Sequence, residues 1–192
     1  DAKQPIPAQD GKAYPYGTQV MTGPDSSLVV VFSQGNECAV GANSQLVLLE
    51  GADKKTKTVQ VDAGRADVTL ESDYEKVNTL HVVTRCNTTT ALSGGRFSTD
   101  VKGEGDLVAA VIADDGAQLK LTGPQYEIAA LQNDQAISIS CSQDRSFVRL
   151  KNITGQYGIA VTKDSEGARE VIDTVPNSVV KVLQKMSEVE GV

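Results

Sequence analysis

From Tyr14 onward the chain alternates short apolar runs with turn residues. "SLVVVF" (27–32) gives way to "SQGNE", and "QLVLLE" (45–50) gives way to "GADKK". "KTVQVDAG" (57–64) and "RADVTLE" (65–71) each alternate apolar and polar positions. "TLHVVT" (79–84), "GRFSTDV" (95–101), "DLVAAVI" (106–112), "AQLKLTG" (117–123) and "YEIAAL" (126–131) follow. "QAISIS" (135–140), "SFVRL" (146–150) and "YGIAVT" (157–162) complete the series. Runs of this length, about five or six residues, have the size of ordinary strands. Their spacing of roughly 8–12 residues, with turn residues between, predicts an all-β sandwich, barrel or solenoid. No helical period of ten or more residues separates them, so βαβ units are not expected. "DAGRAD" and "ADDGAQ" each place Gly where a tight hairpin turn requires positive φ.

Two stretches depart from this pattern. Residues 1–13 are polar, carry Pro5 and Pro7, and show no period, which predicts a loose lead-in. After Pro176, Val179, Val182, Leu183, Met186 and Val189 or Glu190 fall at helical spacing. Asn177 or Ser178 can cap the start and Gly191 the end, which predicts an amphipathic helix from Ser178 to Val189. The expected organisation is a lead-in (1–13), one all-β domain (14–175) and a C-terminal helix segment (176–192). The Thr-Gly-Pro step recurs at 22–24 and 122–124, each time between strand patterns. "TGPDSS" (22–27) is therefore read as a corner and not as a reactive loop.

Composition sharpens the picture. Aromatics make up only 4% of the residues and Trp is absent, so the core must be built of Val, Leu, Ile and Ala. The formal net charge is −7, which disfavours nucleic acid, because phosphate binding needs clustered Lys and Arg. No apolar run approaches the ~20 residues of a membrane-spanning helix, so this segment is not expected to insert in a bilayer. Asp1 is not a natural initiator, so the chain is read either as processed or as cut from a longer one, and the expectation is an exported protein whose signal or anchor has been removed. Cys38, Cys86 and Cys141 allow one disulfide in three possible pairings.

Candidate chemistry is sparse. His81 is the one histidine, and alternation in "TLHVVT" sets it opposite Leu80 and Val82. Neither a zinc ligand set nor a nucleophile elbow accompanies it. Asp114-Asp115 sits in a "DDG" turn, where Asp and Gly serve the backbone. Lys54, Lys55 and Lys57 read as a solvated hairpin tip. Asn87-Thr88-Thr89 and Asn152-Ile153-Thr154 match a glycosylation sequon, a short pattern that chance supplies often. No catalytic, cofactor-binding or metal-binding set is expected, and the chain is read as non-enzymatic.

The order of motifs carries a resemblance. "GTQVMTGPDSSLVVVFSQGNECAVGANSQLVL" is similar to the opening of a FecR-type domain, through Gly17, Val20, Thr22, Gly23, Ser26 or Ser27, Gly35, Asn43, Ser44 and Leu46. "VQVDAGRADVTL", with Gly64, resembles that family's strand-Gly-strand block. "HVVTRCNTTTALSGGRFSTDV" matches the next step through Thr84, Gly95, Phe97 and Val101. "ADDGAQLKLTGPQYEIAALQNDQAISI" matches the last. The resemblance covers about residues 14–140. Ala42 replaces a frequent Pro, Gly94-Gly95-Arg96 replaces a frequent Gly-Thr, and Thr84-Arg85 replaces Thr-Pro. It implies stacked short hairpins in a flattened β-solenoid or sandwich. It also implies a periplasmic or extracellular domain of the cell envelope that binds a protein or ligand in signalling, as in the iron-citrate regulators. The alternative expectation is a structural or accessory subunit of a surface assembly, such as a pilus-associated Ig-like sandwich.

Overall fold

The computed structural model describes residues 4–103, 107–124, 126–145, 147–153, 159–162, 171–174 and 179–184. The strands are β1 (Gln19–Met21), β2 (Leu28–Ser33), β3 (Asn36–Val40), β4 (Gln45–Glu50), β5 (Thr56–Leu70), β6 (Thr79–Val83), β7 (Thr88–Ala91) and β8 (Gly95–Lys102). They continue as β9 (Leu107–Asp114), β10 (Leu119–Gly123), β11 (Tyr126–Leu131), β12 (Ala136–Cys141), β13 (Phe147–Asn152), β14 (Ile159–Thr162), β15 (Val171–Thr174) and β16 (Val179–Gln184). One 3-10 turn, Tyr74–Lys76, lies between β5 and β6.

The pairings resolve into two sheets that share β5. The first runs β1-β4-β5-β6-β7-β10-β11-β14-β15, and the second runs β2-β3-β5-β8-β9-β12-β13-β16. Successive hairpins are dealt alternately to the two sheets, β6–β7 to the first, β8–β9 to the second, β10–β11 to the first and β12–β13 to the second. All pairs among the described residues are antiparallel except β5–β6. This is the expected flattened stack of hairpins.

β5 shows why the two sheets form. Its inward positions are Val59 and Val61, then Ala66, Val68 and Leu70, so the period of two slips by one residue between them. A strand that crosses from one sheet to the facing one must reverse which side points at the core. Gly64 takes that step at φ +79°, and the pairing of β4 with β5 shifts register at Gln45/Leu46 beside it. The sequence pattern predicts a hairpin at "DAGRAD". The structure has one bent fifteen-residue strand there instead. The glycine does hold positive φ, but it serves a sheet crossing. The "ADDG" turn likewise carries the chain from β9 in the second sheet to β10 in the first. Asp115 and Gly116 hold positive φ there, and the Ala117 N–H donates to the Asp114 carbonyl at 3.0 Å.

The helix expected from Ser178 to Val189 is corrected where the structure describes it. Val179–Gln184 is β16, paired with β13 from Phe147↔Gln184 to Lys151↔Val179. "VVKV" is β-branched and alternates as well as it spirals, and an edge that β13 leaves open decides between the two. The remainder of that expected helix lies outside the described residues. The core between the sheets is aliphatic, as expected, with Leu46, Leu80, Leu119, Leu121, Ile128, Ile137, Ile139 and Leu150 fully buried. Tyr74, Phe97 and Tyr126 are its large aromatics.

Candidate functional site

The residues that carry the motif pattern at the start of the chain meet in space. The corner 22–27 takes the chain from β1 to β2, and the corner 41–44 takes it from β3 to β4. Thr22 Oγ1 donates to the Gly41 carbonyl at 2.6 Å and accepts from the Ser44 N–H at 2.9 Å. The Thr22 N–H donates to the Ser44 carbonyl at 2.9 Å, and the Asn43 N–H donates to the Gly23 carbonyl at 3.1 Å. Asn43 itself sits at φ +51°, a conformation that Asn tolerates better than most residues. Ser44, buried, accepts the Arg65 N–H on its Oγ at 2.9 Å. A Cβ at Gly64 would lie 2.5 Å from Ser44 Cα, so only glycine lets the corner approach the bend in β5. The Thr22 and Ser44 hydroxyls are thus spent on backbone groups. Gly23 is less demanding than its place in the pattern suggests. A Cβ there would meet Ser26 Oγ at 3.6 Å, ordinary contact.

A second polar knot ties the sheets together further along. Cys86, just past β6, is bonded to Cys141 at the end of β12, with Cα atoms 5.6 Å apart. The neighbouring loop is held by Thr84, whose Oγ1 accepts the Asn87 N–H at 3.1 Å. The buried Tyr126 hydroxyl donates to Asn87 Oδ1 at 2.9 Å, and Asn87 Nδ2 donates to Thr89 Oγ1 at 2.6 Å. Burial pushes the Tyr126 hydroxyl far above the usual phenol range and keeps it a neutral donor. The Asn87 sequon is therefore consumed inside the fold. Cys38 is free and buried, and desolvation, with Asp67 nearby, pushes its thiol up to about 12. A thiol so protonated is a small hydrophobe and a poor nucleophile.

His81 stands on the outer face of β6, as alternation predicts, with Leu80 and Val82 buried on the other side. Its Nδ1 is 2.9 Å from Thr90 Oγ1, and partial burial lowers its pKa. The lysine-rich hairpin tip is organised by Asp53, which accepts the N–H groups of Lys55 and Thr56 at 3.0 and 2.9 Å. Those bonds, that from Thr56 first, lower the Asp53 pKa. Lys57 pairs with Glu50 and lies 4.8 Å from the Tyr16 ring centroid. Among the described residues no group of three or more His, Cys, Asp or Glu is placed to hold a metal ion. Nor is any helix among them long and apolar enough to cross a membrane.

The surface that sequence reasoning left unassigned is the end of the sandwich built by β1 and β2. β2 pairs only with β3 and β1 only with β4, so each sheet ends here in an unpaired edge among the described residues. Val29 and Val31 on the outer face of β2 are 54% and 63% exposed, and Met21 on β1 is 52% exposed. Val20, Leu28, Val30 and Phe32 touch the core but remain partly open to solvent. The signal was present in "SLVVVF", a run of apolar residues without a charge, but periodicity cannot say which strand of a stack is terminal.

Comparison with known proteins places this arrangement. A family model described as FecR protein matches residues 18–115. Two crystal structures of a candidate anti-sigma factor from Parabacteroides distasonis ATCC 8503, at 1.65 and 2.50 Å resolution, share the fold with TM-scores of 0.53 and 0.52. Sequence identity to them is 14% and 15%, and each match covers 70% of this chain and 59% of the other. The chain thus spans about three fifths of the length of those proteins. No curated protein matches the chain.

Proposed function

The chain belongs to the FecR protein family, and on that premise we propose that it is a signalling regulator domain, exported to the cell envelope, which acts by binding another protein and not by catalysis. The observation that carries the reading is the closed network at Thr22, Ser44 and Gly64. The motif residues maintain a sheet crossing and offer no reactive group, so the function belongs to the surface that this frame holds up. Export is supported by the cross-sheet disulfide, since disulfides persist in oxidising compartments. The regulatory role is supported by family membership and by the shared fold with a candidate anti-sigma factor. The net charge of −7 favours a protein partner over nucleic acid.

The test uses the full-length gene product in cells. Thiols are blocked before lysis, the compartments are separated, and photo-crosslinking side chains are placed at exposed positions of the domain. Expected are recovery outside the cytoplasm with Cys86 and Cys141 oxidised, and a discrete adduct with one envelope protein. A cytoplasmic protein with Cys86 and Cys141 reduced sinks the export reading, and the absence of any adduct from every exposed face sinks the binding reading.

A further inference from the structure

Natural edge strands are protected by Lys, by Pro, by a bulge or by a covering segment, because an unpaired strand edge is a template for another strand. β2 has neither Lys nor Pro, its sequence is Leu-Val-Val-Val-Phe-Ser, and its one register shift, between Val31 and Ser33, lies at the far end and leaves Leu28 to Val31 regular. The two valines on its outer face are more than half exposed. The inner-face Leu28, Val30 and Phe32 leave the core partly open at this end. Between Lys12 and Lys54 the chain has no Lys, Arg or His, whereas Asp25, Glu37, Glu50 and Asp53 lie in that interval. Glu50 is neutralised by Lys57 and Asp53 is tied into its own turn. Glu37 stands on β3 directly opposite Val31 and makes no ion pair among the described residues. Glu37 shares a surface depression with Arg65 and Arg96, but Arg65 is paired with Asp67 and Arg96 with Asp115.

We infer that the free edge of β2 is a docking site for an extended strand of a different protein, apolar and alternating, with Lys or Arg beside the position that faces Val31. The added strand would extend the second sheet beyond β2 by main-chain hydrogen bonds. Its inward side chains would cover Leu28, Val30 and Phe32. A cationic side chain on the outer face would lean over Val31 toward Glu37, two strand spacings or roughly 10 Å away, a span that a long Lys or Arg and a Glu can close together. A second copy of this chain is the wrong occupant on the same grounds, since the strands it would bring nearest, β2 and β3, carry a second Glu37 and no cation. The inference rests on the protein-binding reading and specifies its surface.

The test titrates the isotopically labelled full chain with a synthetic peptide of alternating valine and threonine, about six residues long, flanked by lysines. A twin flanked by glutamates serves as control. Expected are shifts and exchange protection confined to the β2 amides, with the lysine peptide binding at least about tenfold more tightly. Glu37→Gln should shrink that preference. Val29→Lys with Val31→Lys should abolish binding while circular dichroism and melting stay native, because both positions face solvent. Shifts elsewhere, no shift at β2, or equal binding of both peptides overturns the proposal. So does a dimer of the wild-type chain that the double lysine variant dissolves, since the occupant would then be a second copy. If β2 is silent while the cross-linked adduct in cells forms through another face, this site falls and the protein-binding reading stands.

Discussion

Ser44→Ala and Thr22→Val test whether the family motif is architecture. Ser44→Ala removes the acceptor of the Arg65 N–H, a 2.9 Å bond next to the bend in β5. An unsatisfied buried donor costs about 1–3 kcal/mol. Thr22→Val keeps the side-chain shape but removes both the 2.6 Å bond to the Gly41 carbonyl and the 2.9 Å bond from the Ser44 N–H. Two backbone groups lose partners, so the expected cost is at the upper end of that range, about 2–3 kcal/mol. Both residues hold the same corner, so the double variant should cost less than the sum, with a coupling of about 0.5–2 kcal/mol. Urea unfolding followed by circular dichroism reads these values, provided the slope m is unchanged. Each single variant should still bind its partner once folded. Costs below about 0.5 kcal/mol at unchanged m would refute the structural account. Loss of binding in a fully folded variant would refute it from the other side, by making the hydroxyls functional.

The glycines should separate cleanly. Gly64→Ala, with positive φ and no room beside Ser44, should cost about 2–5 kcal/mol by the same unfolding assay, whereas Gly23→Ala should stay within about 1 kcal/mol. Thr99 is buried with no partner for its hydroxyl among the described residues. Thr99→Val should therefore leave stability unchanged or raise it by up to about 1 kcal/mol, read as a higher melting temperature. Cys86→Ala with Cys141→Ala opens a loop with a sequence separation of 55 and should cost about 2–4 kcal/mol. In the native wild-type chain an alkylating reagent should leave Cys38 untouched, and mass spectrometry should find one adduct only after denaturation without reductant. His81 has its pKa lowered by burial, so the folded state binds its proton less readily than the unfolded state. Its contribution is complete above about pH 6.5 and declines as pH falls through that value toward the lower folded pKa. Melting temperatures between about pH 5 and 7 should show a flatter profile for His81→Asn than for wild type.

Strand existence was readable from local pattern because each strand has one face on the core. His81 was placed on the correct face from Leu80 and Val82 alone. The single strand β5 was not readable as one strand, because a bend at Gly64 and a hairpin at Gly64 share the same local chemistry and differ only in where the next partner lies. The C-terminal valines were ambiguous for a related reason. "VVKVLQ" satisfies both periods, and the partner that selects strand, β13, lies some thirty residues earlier. The disulfide could not be chosen from three cysteines because it joins different sheets. The open edge of β2 is not legible in the sequence because being terminal is a property of the whole stack.

The alternation of hairpins between two sheets has a consequence for how such a chain changes length. Each new hairpin needs only the rim left by the one before it, so the stack can be extended rung by rung without rewriting earlier contacts. The family match ends at residue 115, and β10 to β16 continue the same rule past it. Cys86 lies within the matched part and Cys141 on a later rung beyond it. The bond between them makes the later rungs inherit the mechanical fate of the matched frame. A pull or a fluctuation at the late rungs is resisted at the sixth strand, and the two portions should open as one unit for as long as the link is oxidised.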